Sequence, residues 1–240
     1  MTRLSGWWER PQVKRNVVSR ELGDGDFLTP WNYEARRITI GGVVSCASHD
    51  QMHHVMDQLN GLCASRREWL HVQGHGGLQS ALIEADDGPL LVPLSDRQLE
   101  FSLPFRAPDP RKYGEIRTAD VGHDFTSIRQ YGNYPATPLF SLRAQDVGDT
   151  GFQLSGEYED GERRVWWYNY SSSDWTHNID FARGTHMVGS TPRPERVRYS
   201  ETFQIRPHQV TRVRARPHSY DDPVGDGDVS GTVTWRDTWI

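Results

Sequence analysis

The sequence predicts a mainly β protein in two halves, with one α-helix packed on a β-sandwich in the first half and a second β-sandwich after it. The chain has 22 Gly and 14 Pro in 240 residues, and this density of turn formers favours many short strands. Apolar and polar residues alternate in several segments, most regularly in Gln98–Phe105. A helical spacing of apolar residues is convincing in one segment, which follows Ser48.

The first 30 residues predict an extended arm with turns that carries large aromatic side chains. The glycines and aspartates of Gly23–Asp26 are typical of a turn. The arm is too apolar for a solvated tail, so we expect its aromatic residues to pack on an adjacent subunit or a partner protein, where buried aromatics dominate binding energy. These candidate interface residues are Trp7, Trp8, Phe27 and Trp31.

Regular structure is expected to begin with a strand at Arg36–Ile40, interrupted by a turn or bulge at Gly41-Gly42 and resumed at Val43-Val44. Pro104 has no N–H group to donate to a sheet, so its strand should lie at a sheet edge or end there. Further strands of this half are predicted at Trp69–Val72, Leu78–Glu84 and Arg97–Phe105.

The helix has a clear start signal and one apolar face. Ser48 and Gln51 have the spacing of a capping box. Asn60-Gly61 gives a stop signal, although Leu62 and Cys63 could extend the helix by a turn. The apolar face, which we expect to cover a sheet, consists of Met52, Val55, Met56 and Leu59.

A domain boundary is predicted at the proline-rich, charged segment Ala107–Gly114, which divides the chain into residues 1–113 and 114–240. The second part has no helical periodicity, and its short strands separated by polar turns are typical of a β-sandwich. Its predicted strands are Leu139–Ala144, Phe152–Gly156, Arg164–Tyr168, Thr202–Ile205, Gln209–Ala215 and Thr232–Trp235.

Composition excludes several classes of protein. The chain lacks the run of about 18 apolar residues that a membrane span needs, and its first 20 residues lack the apolar core of a secretion signal. A net charge of -5 argues against a general nucleic-acid binder. Cys46 and Cys63 are too few for a disulfide framework, so we expect free thiols.

No catalytic residue, cofactor or required metal is expected. His49 and His53 share a helix face, but the glutamate of a His-Glu-x-x-His site is absent and the cysteine spacing matches no zinc site. There is no Gly-x-Ser-x-Gly nucleophile motif. The acidic segment Asp221–Asp228 lacks the full EF-hand spacing, and cation binding there stays open.

Arg212, Arg214 and Arg216 alternate with small apolar residues and so share one face of a predicted strand. Three interpretations remain open for this candidate site: a solvated face, a contact with a subunit or partner, or a groove for a polyanion. Trp166-Trp167 and Trp175 could stack on sugars, although adjacent strand residues point to opposite faces, so one of the pair belongs to the core.

The order of motifs resembles that of siphophage distal tail proteins, the Dit family. In the first half the similarity lies in Arg36–Gly42, Met56–Leu62, Trp69–Val72, Gln98–Phe105 and Asp109–Tyr113. In the second half it lies in Asn178–Gly184, Gln204–Val213 and Thr232–Ile240. Pro207-His208 stands where the family more usually has a Pro-Gly turn.

The resemblance implies a structural virion protein without catalytic residues, assembled in the bacterial host cytoplasm and located at the virion tail tip. It implies a hexameric ring at the end of a long non-contractile tail, built by the N-terminal β-sandwich and its helix, with a galectin-like β-sandwich projecting outward. The implied partners are the tail tube protein, the tail-tip hub protein, a receptor-binding or fibre protein and the tape measure protein. The alternatives are a carbohydrate-binding module or glycan hydrolase acting on the host cell wall, and a ring component of a contractile injection system.

Overall fold

The computed structural model describes residues 2–21, 23–24, 26–27, 29–64, 67–74, 76–145, 147, 151–168, 176–217 and 227–240. The side chains of Cys63, Arg164 and Trp167 are outside this description. The chain divides into two compact units, the first formed by Met1–Lys112 with Ile240 and the second by Tyr113–Trp239. The prediction of a mainly β protein with β-sandwich architecture and one α-helix is confirmed for the described residues.

The first unit contains antiparallel sheet strands and the helix. The elements are β1 (Thr2–Ser5), β2 (Val13–Arg15), β3 (Trp31–Tyr33), β4 (Arg36–Ser45), α1 (His49–Cys63), β5 (Glu68–Gly74), β6 (Gly77–Ala85), β7 (Leu90–Ser95) and β8 (Gln98–Ala107). Strand β8 lies between β4 and β7, β1 pairs with the other side of β4, and β6 pairs with the end of β8 and with β5. β2 and β3 form a separate pair.

The start of the chain is more regular than the predicted arm. Strand β1 pairs with β4 along its whole length, from Thr2 opposite Gly42 to Ser5 opposite Thr39. Strand β4 itself is continuous, so the predicted interruption at Gly41-Gly42 is wrong, and its register on β8 is unbroken. The two glycines are accommodated because β1 and β8 hold the strand on both sides.

The prediction that Pro104 marks a sheet edge or a strand end is also wrong. Strand β8 continues to Ala107 and has partners on both sides. On the side away from β4, pairing with β7 begins opposite Ser102, and pairing with β6 begins opposite Phe105. Pro104 therefore occupies the change of partner, where the missing N–H group leaves no gap in either ladder.

Helix α1 begins as predicted. The Ser48 hydroxyl accepts a hydrogen bond from the N–H of Gln51 at 3.2 Å, and the Gln51 side chain accepts from the N–H of Ala47 rather than from that of Ser48. The helix ends at Cys63, one turn beyond the stop signal. Met52 is buried with Cys46 and Leu99, so the predicted apolar face covers the sheet.

The second unit is a sandwich of two antiparallel sheets. Their strands are β9 (Lys112–Val121), β10 (Thr126–Arg129), β11 (Leu139–Gln145), β12 (Phe152–Tyr158), β13 (Arg163–Tyr168), β14 (Thr176–Asp180), β15 (Thr185–Val188), β16 (Thr191–Pro192), β17 (Val197–Ser200), β18 (Val210–Pro217) and β19 (Asp228–Trp239). One sheet has the order β9-β19-β11-β14-β15-β16, and the other has the order β10-β18-β12-β13-β17.

The core of this unit lies between its sheets. Phe140 and Val233 from one sheet meet Leu154 and Val213 from the other, and all four are buried. The predicted strand at Thr202–Ile205 is wrong. Its residues form one isolated bridge, between Ile205 and Ala136, although Phe203 and Ile205 still supply core side chains. Strand β9 was not predicted, because its first residues fall in the proline-rich exit and it carries many polar side chains.

Candidate interaction surfaces

Large hydrophobic side chains are exposed mainly in the first unit. Among the described residues, the second unit exposes four of them: Ile116, Tyr131, Leu139 and Tyr199. The first unit exposes Trp8, Val13, Val17, Val18, Phe27, Trp31, Val43, Leu62, Trp69, Leu78, Leu90, Val92 and Leu94. Clusters of exposed apolar side chains mark surfaces that bind other proteins.

An apolar stripe runs along β7. Leu90, Val92 and Leu94 alternate along the strand and project from one face, and they are 64%, 39% and 52% exposed. Leu91, between them, points to the opposite face and packs in the cluster beneath α1. We call Leu90, Val92 and Leu94 the β7 stripe. Among the described residues, β7 pairs only with β8, so the stripe lies beside a sheet edge.

The adjacent residues Trp7 and Trp8 have opposite environments. Trp7 is fully buried in the first core, with Ile38 and Leu103, and Trp8 is 58% exposed. Trp7 therefore has no exposed surface with which to contact another chain, and the prediction that it lies at an interface is wrong. The candidate interface at this end of the chain narrows to Trp8, Phe27 and Trp31.

Two buried cations fix the segment that carries the tryptophans. Nη1 of Arg36 donates to the carbonyls of Gly6, Trp7 and Glu9, and Nε donates to the carbonyl of Pro110 at 3.0 Å. Nζ of Lys112 donates to the Trp7 carbonyl at 3.0 Å. Burial lowers the pKa of Arg36 to about 10, and burial together with the charge of Arg36 lowers the pKa of Lys112 to about 8.

Trp8 rests on a glycine. A Cβ atom at Gly74 would lie 2.6 Å from the indole of Trp8, so the ring packs against the bare backbone at the end of β5. Nζ of Lys112 lies 5.9 Å from the centre of this ring, which adds a cation–π contact. Trp8 is therefore held in one position while most of its surface remains open.

Gly74→Ala is expected to displace the Trp8 indole and leave the stability of the unit within about 1 kcal/mol, because the ring is at the surface. The displacement should shift the Trp8 Nε1–H cross-peak in a ¹H–¹⁵N spectrum. Gly88→Ala is the control, since a Cβ atom there would have no neighbour within 4 Å. An unmoved Trp8 signal in Gly74→Ala would contradict the packing described here.

Phe27 and Trp31 are the other exposed aromatics of this region. Phe27 is 56% exposed, and the guanidinium of Arg20 lies 5.5 Å from its ring centre. Trp31, in β3, is 48% exposed and packs edge-on against Tyr33 at 5.1 Å. Each ring is thus supported from its own unit and keeps a face available to a partner.

The predicted arginine row lies on the outer face of the second unit. Arg212, Arg214 and Arg216 project from β18 away from the core, whereas Val213 and Ala215 between them are fully buried. The structure thus brings together the three arginines that the sequence predicted to share a face. Sequence reasoning missed Phe125, which lies under two of them, with guanidinium-to-ring distances of 4.6 Å for Arg212 and 4.2 Å for Arg214.

One of the tryptophans that were predicted to stack on sugars is not at the surface. Trp166 is 4% exposed and belongs to the core of the second unit. The side chain of Trp167 and all of Trp175 lie outside the described residues, as does the segment 221–226 of the acidic loop. Within the described part of the second unit, no specific observation favours a carbohydrate-binding module.

Four histidines form two pairs with different surroundings. On α1, Nε2 of His53 lies 3.0 Å from Nε2 of His49 at the exposed surface. In the second unit, Nδ1 of buried His177 lies 3.1 Å from Nε2 of His186. No group of three or more His, Cys, Asp or Glu residues within the described ranges is arranged to hold a metal ion. None of the described helices could cross a membrane.

Comparisons with known proteins place the chain by fold. No family model and no curated protein matches the sequence. The crystal structure of the Dit protein of phage SPP1, described as a paradigm of the hub adsorption apparatus in phages that infect Gram-positive bacteria, matches with a TM-score of 0.71 at 13% identity. The match covers 99% of this chain and 92% of that chain.

Two structures of the phage P2 baseplate in its activated conformation, with Ca and with Sr, match more weakly. Both have 9% identity and cover 96% of this chain. The TM-scores are 0.42 and 0.41, and the coverage of those chains is 90% and 88%. The resemblance to phage distal tail proteins that the sequence predicts is confirmed at the level of the fold: the chain folds like the SPP1 Dit protein.

Proposed function

We propose that this protein is a structural, non-enzymatic component of a phage tail tip and that six copies form a ring at the distal end of the tail. The fold shared with the SPP1 Dit protein supports a tail-tip role. The uneven distribution of exposed apolar side chains supports assembly through the first unit. In this proposal, residues 1–113 form the ring and residues 114–240 form an independently folding sandwich that projects outward.

The β7 stripe is the observation that carries the proposal. Three branched aliphatic side chains, each more than a third exposed, lie in one row on a strand that has a described partner on one side only. Burying such side chains is favourable by about 1.5–3 kcal/mol each. Pro93 has no N–H group, so β7 is a poor partner for strand pairing with another subunit. The contact between subunits is therefore expected to involve the side chains on the face of β7 more than its backbone.

A ring requires a contact between two different surfaces of each subunit, repeated until the rotation closes. The β7 stripe supplies one of these surfaces. We expect Trp8, Phe27 and Trp31 to contact either the neighbouring subunit or the tail tube protein. The ring would join the tail tube to the tail-tip hub protein, next to the tape measure protein, and receptor-binding or fibre proteins would attach further out. Assembly would take place in the host cytoplasm.

The double substitution Leu90→Lys with Leu94→Lys tests the role of the stripe. Removing two apolar contacts and adding two charges should raise the subunit dissociation constant at least about 100-fold. Native mass spectrometry should then find monomers where the wild type is a hexamer. The thermal stability of the monomer should change little, because both side chains are exposed.

Leu139→Lys is the control, because Leu139 is also an exposed leucine, at 39%, but lies in the second unit. This variant should assemble like the wild type. The role of the β7 stripe fails if the double variant still forms the complete ring. It also fails if Leu139→Lys disrupts assembly as strongly as the double variant.

A further inference from the structure

The arginine row belongs to a larger cationic face. Arg163 on β13 and Arg129 on β10 project from the same side of the sheet as the row. We call this set the arginine face; it comprises Arg129, Arg163, Arg212, Arg214 and Arg216. In a strand, alternate residues repeat at about 6.7 Å, so the three arginines of β18 form a line of evenly spaced charges.

The carboxylates on this face do not match the arginines in number. Glu157 lies 3.4 Å from both Arg163 and Arg212, so one carboxylate forms salt bridges with two arginines. Arg214 and Arg216 have no carboxylate within salt-bridge distance among the described residues, and their Nε atoms are buried without a hydrogen-bond partner. Arg206 shows the contrast, since it pairs with both Asp160 and Glu162.

The unpaired guanidinium groups repel one another and are partly desolvated. Burial, followed by the charges of Arg216 and Arg163, lowers the pKa of Arg214, and Glu157 opposes this effect. Phe125 holds the guanidinium groups of Arg212 and Arg214 over its ring. The fold therefore keeps cations together at a cost in free energy, and an anion bound along the row would remove that cost.

A linear phosphodiester polymer fits this surface better than an acidic protein. A protein interface needs an apolar, desolvated centre. The central strands of this face, β12 and β18, carry none of the four exposed large hydrophobics of the second unit, and the one that shares the face, Tyr199, lies on β17 at the end of the sheet. On this face, the neighbouring strand β12 carries half-buried Gln153 and buried Ser155, which are polar and uncharged. A guanidinium group binds two phosphate oxygens at once. A polymer with one phosphate in each short repeat can therefore contact successive arginines.

We propose that the arginine face binds a linear phosphodiester polymer, with successive phosphates on Arg212, Arg214 and Arg216. The shared chemistry occurs in polyol-phosphate chains of bacterial surfaces and in single-stranded nucleic acid. The site lies wholly within the second unit, so the inference does not depend on the ring.

The test measures binding of the full-length protein to three probes: poly(glycerol phosphate), a single-stranded oligonucleotide and polyglutamate. Both phosphate probes should bind, and polyglutamate should bind at least about tenfold more weakly. Arg212→Gln with Arg214→Gln should weaken phosphate binding at least about tenfold. It should also reduce the slope of log K against log salt by about 1.4, or 0.7 for each lost contact. The folded state should be no less stable, because like charges are removed.

Arg143→Gln with Arg183→Gln is the control, since it removes the same charge from an exposed position on the other sheet and from the turn between β14 and β15, and it should bind like the wild type. Tighter binding of poly(glycerol phosphate) would identify a surface polymer as the source, and tighter binding of the oligonucleotide would identify nucleic acid. Equal or stronger binding of polyglutamate would overturn the proposal. So would a wild-type salt slope near zero, or equal loss of binding in the two double variants. If the double variant fails to fold, the single variant Arg216→Gln makes the same comparison and should reduce the slope by about 0.7.

Discussion

Replacing Trp7 with Ala is expected to destabilise the first unit by about 3–5 kcal/mol, the range found when a large aromatic is removed from a core. The indole is fully buried in the cluster that contains Ile38, Ala81 and Leu103. Its carbonyl accepts hydrogen bonds from Arg36 and Lys112, so collapse around the cavity would also disturb two buried cations. A loss of this size is a large fraction of the stability of a typical domain.

Urea unfolding of the full-length protein measures this effect, with the first unit followed by indole signals. Trp8→Ala is the matched control, because it removes the same side chain from a position that is 58% exposed. We expect Trp8→Ala to change stability by less than about 1 kcal/mol while weakening contacts with other chains. Equal losses in the two variants would contradict the different environments of the two residues.

Mild acid is expected to destabilise the second unit through its buried histidine pair. Burial, with a smaller contribution from the charge of His186, lowers the pKa of His177 to about 3. Burial also lowers the pKa of His186. The rings lie among Phe152, Trp166 and Tyr168, with His177 4.9 Å from Phe152 and 5.0 Å from Tyr168 between ring centres. This cage favours neutral imidazoles.

Hydrogen bonding gives each ring one tautomer. Nδ1 of His186 lies 3.3 Å from the carbonyl of Arg193, so it carries the proton there. Nε2 of His186 then accepts from Nδ1–H of His177. If His186 took up a second proton, two donors would face each other at 3.1 Å, which adds to the cost of charging the pair.

The sign of the pH effect follows from the lowered pKa of His177. Above pH 6.5 both the folded and the unfolded chain hold His177 neutral, and no stability is lost. Between pH 6.5 and about pH 3 the unfolded chain binds a proton that the folded chain does not, so stability falls as pH falls. The slope approaches about 1.4 kcal/mol per pH unit, and over the interval between the two pKa values the total approaches about 5 kcal/mol.

Thermal unfolding between pH 7 and pH 4 measures the loss in the second unit. His177→Phe should flatten the dependence, because the variant has no proton to take up at that position. His123→Asn should leave it unchanged, since the His123 side chain is 60% exposed. A stability of the second unit that stays constant from pH 7 to pH 5 in the wild type would contradict the neutral buried pair.

Much of the fold was predictable from the sequence because local signals agree with the tertiary structure. Ser48 and Gln51 predict the start of α1 correctly, and the alternation in Gln98–Phe105 predicts β8. The outward row of arginines on β18 follows from simple alternation. In each of these segments the period of the element equals the period of its buried face.

Other features depend on contacts between distant segments. Trp7 is buried and Trp8 is exposed because of contacts with Arg36 and Gly74, which are distant from them in the sequence. The local sequence therefore gives no signal that distinguishes the two adjacent tryptophans. Pro104 is tolerated inside β8 because two different strands meet there. The pairing of His177 with His186 depends on the register of β14 on β15, in which Ile179 is opposite His186.

The number of subunits in the full-length assembly tests the central proposal most directly. Native mass spectrometry at micromolar concentration, combined with electron-microscopy class averages of the same sample, gives both the copy number and the symmetry. The proposed tail-tip role predicts a closed ring of six copies with sixfold symmetry. A protein that remains strictly monomeric at high concentration, or that forms only twofold dimers, would contradict it.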